Sequence, residues 1–488
     1  MPSRPLPRAA ALLLGLCLAL PAVGQWTEPA WESSADLPSL SAPGHRAASS
    51  EEYRLGRAWL RQFRARAPEW QDPIAQAYVE ALLARLASHA GVDTSELLVT
   101  LVDSHRLNAF AVPGGVVGIN AGLFAFADQE AELVSVLAHE LGHLAQRHYS
   151  RGQARAEQTQ VPAMAAMLAG MLIAAAGGGD AGIGVAMGSQ AAFIQDQLSY
   201  SRRYEQEADR LGLQVMAEAG YDPEAMVSMF RAMQRLASLQ GGTPPEFLLT
   251  HPLTESRISD TASRAAKLSV QEQRDGLQYH LVRARALLAI HRTDPDRART
   301  RLTQGDVPRQ AERYLAALIS AERGDTDEAL RRLDALAREQ PDLTLIPATA
   351  AETAFAAGRT DDAIERSRRL LRLVPGHVPT SLTLAEAQLQ RDPEAAWRLL
   401  RDLADRRPED HRVFALLAEA AGRSGREALG HLARAEYQQL TGRITDAIRQ
   451  LGVARRVADQ EDNATAAARI EQRYEAFLDY RETLEKFQ

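Results

Sequence analysis

Apolar positions recur with helical spacing along most of the chain, and a few short stretches show the pattern of strands instead. The periodicity is helical from 51 to 90, from 128 to about 149 and from about 192 to 219, and Asp128 is predicted to cap the second of these helices. "LLVTLVD" (97–103) predicts a strand, and "NAFAVPGGVVGIN" (108–120) predicts two short strands around a Pro-Gly-Gly turn. The pattern therefore predicts a mostly α-helical protein with one small sheet.

Beyond about Val270 the helical pattern repeats. "AERGDTDEALRRLDALAREQP" (321–341) aligns with "AFAAGRTDDAIERSRRLLRLVP" (354–375) at an offset of 34 residues, and 390–408 and 440–456 are further copies. This period, with small residues at helix crossings and a closing proline, is typical of tetratricopeptide repeats. Each helix pair buries its apolar face against its neighbours, so the array is predicted to form an all-α solenoid with a curved groove.

The first 24 residues have the features of a signal peptide. Two arginines precede the apolar run 9–20, and small residues end at Gly24. A run of this length is too short to cross a membrane core of roughly 30 Å as a helix. The single cysteine, Cys17, lies inside it, so cleavage near Gly24 removes every thiolate ligand and every disulfide from the mature chain. We therefore expect a periplasmic protein.

Length and composition set further bounds. A chain of 488 residues is too long for one core, and 45% hydrophobic with 24% charged residues is ordinary for a globular protein. The net charge of −7 gives no reason to expect binding to nucleic acid. The predicted organisation is a signal peptide (1–24), an extended leader rich in Pro, Ser and Ala (25–50), a first domain (51–269) and the repeat domain (270–488).

The apolar segment 161–190 has two interpretations. Its first sixteen residues, "VPAMAAMLAGMLIAAA", are too few and too rich in small side chains for a membrane span. A buried helix followed by a loop is the simpler interpretation. The alternative is a lid or an apolar surface that contacts unfolded clients or the membrane periphery.

Candidate chemistry begins with "HELGH" (139–143). His139 and His143 are four residues apart and project from one helix face, where their imidazoles can share a cation. Glu140 can reach a water on that cation without being a ligand itself. Such a metal lowers the pKa of its water towards about 7, and the carboxylate can then pass a proton to a leaving amine. The alternative is two partly exposed histidines on a core helix.

A catalytic zinc needs a third protein ligand and an open position. His148, five residues beyond His143, points roughly 140° away on a continuous helix, so it is predicted to be a surface histidine at the helix end. Glu205 and Asp209 share a helix face, and one can ligate while the other orients a histidine. Taken alone, such an acidic pair indicates a solvated surface. Two histidines and one carboxylate favour zinc.

These motifs together resemble the M48 family of zinc metallopeptidases. The resemblance rests on "HELGH", on the Glu-x-x-x-Asp pair about 60 residues later, on "THPLTESRI" (250–258) and on "NAFAVPGGVVGINAGLF" (108–124), and it covers roughly 51–265. It implies an α+β zincin-like domain ahead of the repeats and one zinc ion per chain. The implied roles are zinc ligands for His139, His143 and Glu205, general base for Glu140, and support of the ligands for Asp209.

The resemblance also implies a role for His251. In periplasmic members of the family the matching histidine lies on a loop and can occupy the fourth zinc position, which displaces the water and keeps the enzyme silent. The alternative is that His251 caps a turn before Pro252 or contacts substrate. Arg257 could anchor the same loop or assist an oxyanion, and the sequence leaves this open.

The predicted strand at 108–112 has a proposed use as well. A peptide must be held extended past the metal, and an edge strand does this through backbone hydrogen bonds with little demand on sequence. The candidate substrate strand comprises Asn108, Ala109, Phe110 and Ala111. An ordinary core hairpin is the alternative.

Two functions follow. The resemblance to exported family members with repeat tails implies a periplasmic zinc endopeptidase that acts on unfolded or misassembled outer-membrane proteins. In this hypothesis the repeats recruit those clients or their assembly machinery. The alternative is an adaptor or chaperone for outer-membrane protein assembly, in which the repeats act and the protease domain stays closed.

Overall fold

A computed structural model describes residues 45–155, 201–239, 245–270 and 276–486. The predicted signal peptide and the apolar segment 161–190 lie outside the described residues, and their interpretations stay predictions. Residues Ala47–Gln488 form one compact unit. None of the described helices combines the length and apolar content that a membrane crossing requires.

The elements before the repeats form a helical domain with one small sheet. In order they are α1 His45–Arg64, α2 Pro73–Ala90, a 3₁₀ turn Thr94–Glu96, β1 Leu98–Val102, β2 Ala109–Val112, β3 Val116–Asn120, α3 Ala121–Phe126, α4 Glu130–Ala145, α5 148–155, α6 201–218, α7 Glu224–Leu239, α8 Glu246–Thr250 and α9 Glu255–Ala265. Because α1 begins at His45, the last residues of the predicted extended leader are helical.

The sheet confirms the strand predictions. Its order is β1-β3-β2, with β1 parallel to β3 and β2 antiparallel to β3. The β2–β3 turn passes through Gly114 and Gly115 at φ 78° and 81°, a left-handed conformation that favours glycine. A Cβ on Gly114 would lie 2.4 Å from the Glu52 carbonyl oxygen, so α1 also packs against this turn without room for a side chain. In the described sheet β2 is an edge strand.

Helix α4 differs from its prediction at both ends. Its N-cap is Gln129, which forms a capping box with Glu132, whereas the pattern predicted a cap at Asp128. The Asp128 carboxylate accepts a hydrogen bond from Arg301 Nη1 at 2.8 Å instead. The helix ends at Ala145 rather than near residue 149, because Arg147 adopts a left-handed φ of 51° and a separate helix, α5, starts at 148.

The repeat domain is helical throughout its described residues. Its helices are α10 Leu277–Ile290, α11 Pro295–Leu302, α12 Arg309–Glu322, α13 Thr326–Glu339, α14 Leu345–Ala356, α15 Thr360–Leu373, α16 Val378–Arg391, α17 Pro393–Arg406, α18 His411–Arg423, α19 Glu427–Leu440, α20 Ile444–Gln460 and α21 Ala464–Lys486. From α12 onward each helix packs extensively against the next one along the chain, as a solenoid requires.

The predicted repeat register is confirmed. Helices α13 and α15 begin at Thr326 and Thr360, which are 34 residues apart. Ala329 and Ala363 occupy equivalent positions near the starts of these helices and are fully buried. Small side chains at these positions let successive helices approach closely, which is why the pattern was readable in the sequence.

The last repeats contact the first helices of the chain. Arg61 on α1 donates to Gln439 Oε1 at 2.7 Å and stacks over Tyr480 at 4.5 Å. Arg407 donates to both oxygens of Glu80 on α2, at 2.6 and 2.8 Å. The two predicted domains therefore share a polar interface.

Candidate metal centre

Two helices that cross closely bring the predicted ligands together. α4 carries His139, Glu140 and His143, and α6 carries Glu205 and Asp209. At the crossing, a Cβ on Gly142 would lie 2.9 Å from both the Cα and the carbonyl oxygen of Ala208. The glycine inside "HELGH" thus allows backbone contact, which sets the Glu-x-x-x-Asp face of α6 against the two histidines.

The donor atoms of this metal centre converge. The Nε2 atoms of His139 and His143 lie 3.1 Å apart. The Glu205 carboxylate places Oε1 3.3 Å from His143 Nε2 and Oε2 3.4 Å from His139 Nε2. His251 joins them, and one donor atom from each of these four residues lies within 4.8 Å of the others. Two helices and a loop 112 residues downstream of His139 thus supply one cluster.

His251 lies on the turn that ends α8. Its backbone N–H donates to Phe247 at 2.9 Å, so the residue does cap a turn. Its ring also faces the cluster: Nδ1 is 3.1 Å from Glu205 Oε1 and 3.3 Å from His139 Nε2. The other ring nitrogen, Nε2, is 3.4 Å from Glu140 Oε1. The two sequence interpretations of this residue are therefore compatible.

Arg257 ties the carboxylates of α6 to the loop that carries His251. The guanidinium is 3% exposed, and it donates to both oxygens of Asp209 at 2.8 Å. It also lies 3.0 Å from Glu205 and donates to the carbonyl of Pro252 at 2.8 Å. Its three nitrogens all have these local partners, which favours the loop-anchor interpretation over an oxyanion role.

Asp209 in turn holds the ring of His139. His139 Nδ1 lies 2.9 Å from Asp209 Oδ1, with Nε2 on the opposite side of the ring facing the cluster. A carboxylate on the far nitrogen of a metal-binding histidine fixes its tautomer and raises its basicity.

The buried charges shift the proton affinities strongly. Burial opposes ionisation of Glu205, yet hydrogen bonds from three histidines hold its pKa far below the ordinary value. Burial likewise opposes ionisation of Asp209, but Arg257 and His139 keep its pKa low. Burial lowers the pKa of His143 to about 3, whereas for His139 the bonds with Asp209 and Glu205 outweigh burial and raise the pKa to about 10.

Glu140 behaves differently from these two carboxylates. It is 1% exposed, and burial raises its pKa. Among the described residues no donor hydrogen-bonds its Oε1, although the cluster is adjacent. A buried polar atom of this kind requires an explanation, and a carboxylate with raised proton affinity is suited to accept and release a proton. The two imidazoles and the Glu205 carboxylate form a donor set that suits zinc.

The prediction for His148 was wrong. This side chain is 5% exposed, its Nδ1 lies 2.9 Å from His143 Nδ1, and its ring stacks on Tyr204 at 4.3 Å. The predicted direction assumed a continuous helix, whereas the chain turns at Arg147 before His148. The sequence has neither glycine nor proline at this break, so the contact between His148 and His143 could not be predicted from helical geometry.

The edge strand lies beside the metal centre. In β2, Phe110 pairs with Gly118 and Asn108 accepts from the Asn120 N–H at 3.1 Å. Because backbone groups alternate along an antiparallel pair, those of Ala109 and Ala111 point away from β3. The Ala111 backbone lies close enough to the Glu140 carboxylate to lower its pKa, so the free edge of β2 faces this residue.

Comparison with known proteins agrees with this geometry. The family model "Peptidase family M48" matches residues 73–265, and a tetratricopeptide-repeat model matches 354–420. The chain is 31% identical over 450 residues to the β-barrel assembly-enhancing protease of Escherichia coli (strain K12), an alignment that covers 91% of each chain. It belongs to peptidase family M48. The Yersinia pestis protein of the same name is 32% identical over 449 residues, which cover 90% of this chain and 91% of that protein.

More distant relatives match a shorter part of the chain. The mitochondrial metalloendopeptidase OMA1 of Schizosaccharomyces pombe is 30% identical over 184 residues, which cover 37% of this chain and 50% of that protein. The predicted fold is thus confirmed as an M48 domain with a small sheet, followed by helical repeats. As an M48 member the chain is a metalloendopeptidase.

Proposed function

We propose that this M48 peptidase is a periplasmic zinc endopeptidase that degrades misassembled outer-membrane β-barrel proteins and assists their assembly. One observation carries the proposal: His139, His143 and Glu205 converge in a chain that resembles the β-barrel assembly-enhancing protease over 91% of both lengths. The apolar leader at 1–24 supports export, and its cleavage near Gly24 is part of the proposal.

In this proposal His139, His143 and Glu205 hold one zinc ion. When bound, zinc supplies Lewis acidity that polarises the scissile carbonyl and makes water nucleophilic at neutral pH. Glu140 accepts the proton of the attacking water and passes it to the amine nitrogen of the leaving peptide. Its burial beside the cluster supports that role, because exclusion of water strengthens the field it experiences. Asp209 orients His139 and keeps its Nε2 directed inward.

The free edge of β2 binds the substrate in this proposal. An extended client segment pairs with the outward backbone groups of Ala109 and Ala111, and Asn108 and Phe110 hold the strand to β3. Recognition through the backbone suits clients that share an extended conformation rather than a sequence. The Ala111 contact with Glu140 sets the paired segment beside the proton carrier.

His251 keeps the enzyme closed in the resting state. Its Nδ1 faces the same cluster as the other three donors, and a fourth donor removes the open position that a catalytic site needs. Arg257 holds the loop through the Pro252 carbonyl, so opening requires the loop to release that hydrogen bond.

The repeats recruit the clients or their assembly machinery. α17, α18, α19 and α21 enclose a cavity of about 310 Å³ whose apolar wall includes Trp397, Phe414, Leu417 and Leu432. A concave apolar surface of this size accepts the side chains that an unfolded barrel strand exposes. Contact with the membrane periphery through segment 161–190 remains part of this hypothesis.

The test compares Glu140→Gln with wild type and His251→Ala. All three proteins are analysed for bound metal and assayed with casein and with an unfolded barrel protein. We expect zinc in all three, loss of cleavage by at least about 10³-fold in Glu140→Gln, and faster cleavage in His251→Ala. Undiminished cleavage by metal-loaded Glu140→Gln would contradict the proposal.

A non-proteolytic adaptor for outer-membrane protein assembly is the second candidate. The position of His251 favours it, because a cluster with four protein donors has no site for substrate. It predicts that Glu140→Gln restores barrel assembly in cells that lack the wild-type protein. Failure of that rescue, with normal protein levels, would count against the adaptor and leave the peptidase.

A further inference from the structure

The two predicted histidine ligands are supported by different networks. Behind His139 stands a carboxylate, Asp209, with Arg257 on its other side. Behind His143 stands another imidazole, His148, which leads to the carboxylate of Glu207. An arginine ends this second network, as Arg257 ends the first, because Arg151 donates a hydrogen bond to Glu207 at 2.8 Å.

Hydrogen-bond donors and acceptors fix the state of the second network. His143 directs Nε2 into the cluster, and a neutral ring that ligates through Nε2 carries its proton on Nδ1. That proton is donated to His148 Nδ1, 2.9 Å away, which must therefore be the acceptor. His148 then carries its own proton on Nε2, where Glu207 Oε2 accepts it at 3.1 Å. Every donor meets an acceptor only in this arrangement of neutral rings.

The opposite arrangement is incompatible with metal binding. If His148 donated through Nδ1, His143 would accept there and carry its proton on Nε2, the atom that faces Glu205. A protonated nitrogen cannot ligate a metal. Glu207 prevents this arrangement, because its carboxylate accepts hydrogen bonds and so favours the proton on the Nε2 of His148.

Packing holds the intermediate ring in place. His148 is 5% exposed, and its ring stacks on Tyr204 with an angle of 19° between the planes. Tyr204 and Glu207 lie on α6, the helix that also carries Glu205. The left-handed Arg147 turns the chain so that the start of α5 reaches this position.

We propose that His148 is a positioning residue that sets the tautomer and ring orientation of the zinc ligand His143. Glu207 and Arg151 complete the network by fixing the proton of His148. The inference depends on the proposed zinc site, and it assigns to His148 and Glu207 a role in metal affinity. Groups that orient a metal ligand in this way contribute about 10- to 100-fold to affinity.

The experiment measures zinc affinity of the full chain by competition with a chromophoric chelator. His148→Phe keeps an aromatic ring against Tyr204 and removes the acceptor. His148→Asn restores an acceptor, because Asn Oδ1 is bonded to Cγ as His Nδ1 is. We expect about 10- to 100-fold weaker zinc binding for His148→Phe and an affinity within about threefold of wild type for His148→Asn. The absorption spectrum of cobalt-loaded protein should change in His148→Phe alone.

Glu207→Gln provides a second variant that leaves the buried ring in place. It is expected to weaken zinc binding by less than His148→Phe does. His89→Phe is the matched control. His89 lies on α2 and, like His148, contacts a glutamate of α6: its Nδ1 is 3.5 Å from Glu218, away from the proposed ligands. Its zinc affinity should equal that of wild type.

Wild-type affinity in His148→Phe would overturn this inference, as would an equal loss in His148→Phe and His148→Asn. If His148→Phe does not fold, wild-type affinity in Glu207→Gln overturns it. These outcomes are separate from failure of the proposed function, because a wild-type chain that binds no zinc contradicts the zinc site itself.

Discussion

The metal centre and the middle of the repeat array bury polar side chains in different ways. Glu140, Glu205, Asp209 and Arg257 are all at most 4% exposed, so charge lies deep in the first domain. Between α12 and α17 the buried polar side chains are uncharged, and typical ones bond to their own helix, as Thr349 does to the Leu345 carbonyl at 2.9 Å.

The difference agrees with the metal-binding role proposed for the first domain. Burial of a charge costs several kcal/mol unless partners compensate it, and an apolar core would usually be at least as stable. The middle repeats, α12 to α17, avoid this cost, and the ion pairs within them are at least partly exposed. The metal centre buries charge despite this cost, which is expected where chemistry requires ionised groups in a dry environment.

The largest expected effect is the removal of Arg257. Arg257→Met removes the guanidinium that pairs with the buried carboxylates of Asp209 and Glu205, and we expect a loss of about 3–5 kcal/mol in the free energy of unfolding. The control is Arg264→Met on the same helix α9, where the arginine is exposed and pairs with Asp260. Urea denaturation in the presence of a chelator measures both, and similar losses would refute the distinction between buried and exposed charge.

An intermediate effect is expected from glycine-to-alanine changes, one in each region. Gly142→Ala places a Cβ 2.9 Å from the backbone of Ala208, which forces α4 and α6 apart. We expect a loss of about 1–3 kcal/mol together with weaker zinc binding.

Gly452→Ala in α20 is the matched change, because nothing lies within 4 Å of the added Cβ. It should leave zinc affinity unchanged and stabilise the helix by roughly 0.5–1 kcal/mol. Thermal unfolding and chelator competition on both variants test the pair. Unchanged zinc affinity in Gly142→Ala would show that zinc binding does not depend on the close crossing of α4 and α6.

The smallest effect is expected at the surface of the repeats. Asp327 and Arg359 form an ion pair between neighbouring repeats, and both side chains are exposed. Because water screens such pairs, Asp327→Asn and Arg359→Gln should shift the melting temperature by no more than the scatter between replicates. A clear shift in a double-mutant cycle would show that surface charges help to hold the array together.

Much of the repeat array was predictable because its contacts are local. Each repeat needs small residues where its helices cross, so buried alanines such as Ala329 and Ala363 recur at a fixed spacing, and that spacing predicts the fold. The same holds for His139 and His143, whose relation follows from one helix. The sheet was readable too, since Gly114 and Gly115 mark its turn.

The remaining features depend on residues far apart in the sequence. Asp128 does not cap α4, because Arg301 from the repeats binds its carboxylate. His148 turned inward because Arg147 interrupts the helix, and no local pattern marks that turn. Glu205 as a ligand was inferred from resemblance, and its distance to His143 could be learned only from the structure.

The contact of Arg61 with Gln439 and Glu409 has a consequence for biogenesis. Arg61 on α1 is synthesised 348 residues ahead of Glu409 and 378 residues ahead of Gln439. Until then the Arg61 side chain lacks both partners, and a chain truncated before residue 409 never acquires them. Formation of the Arg61–Gln439 hydrogen bond therefore requires that synthesis has passed residue 439.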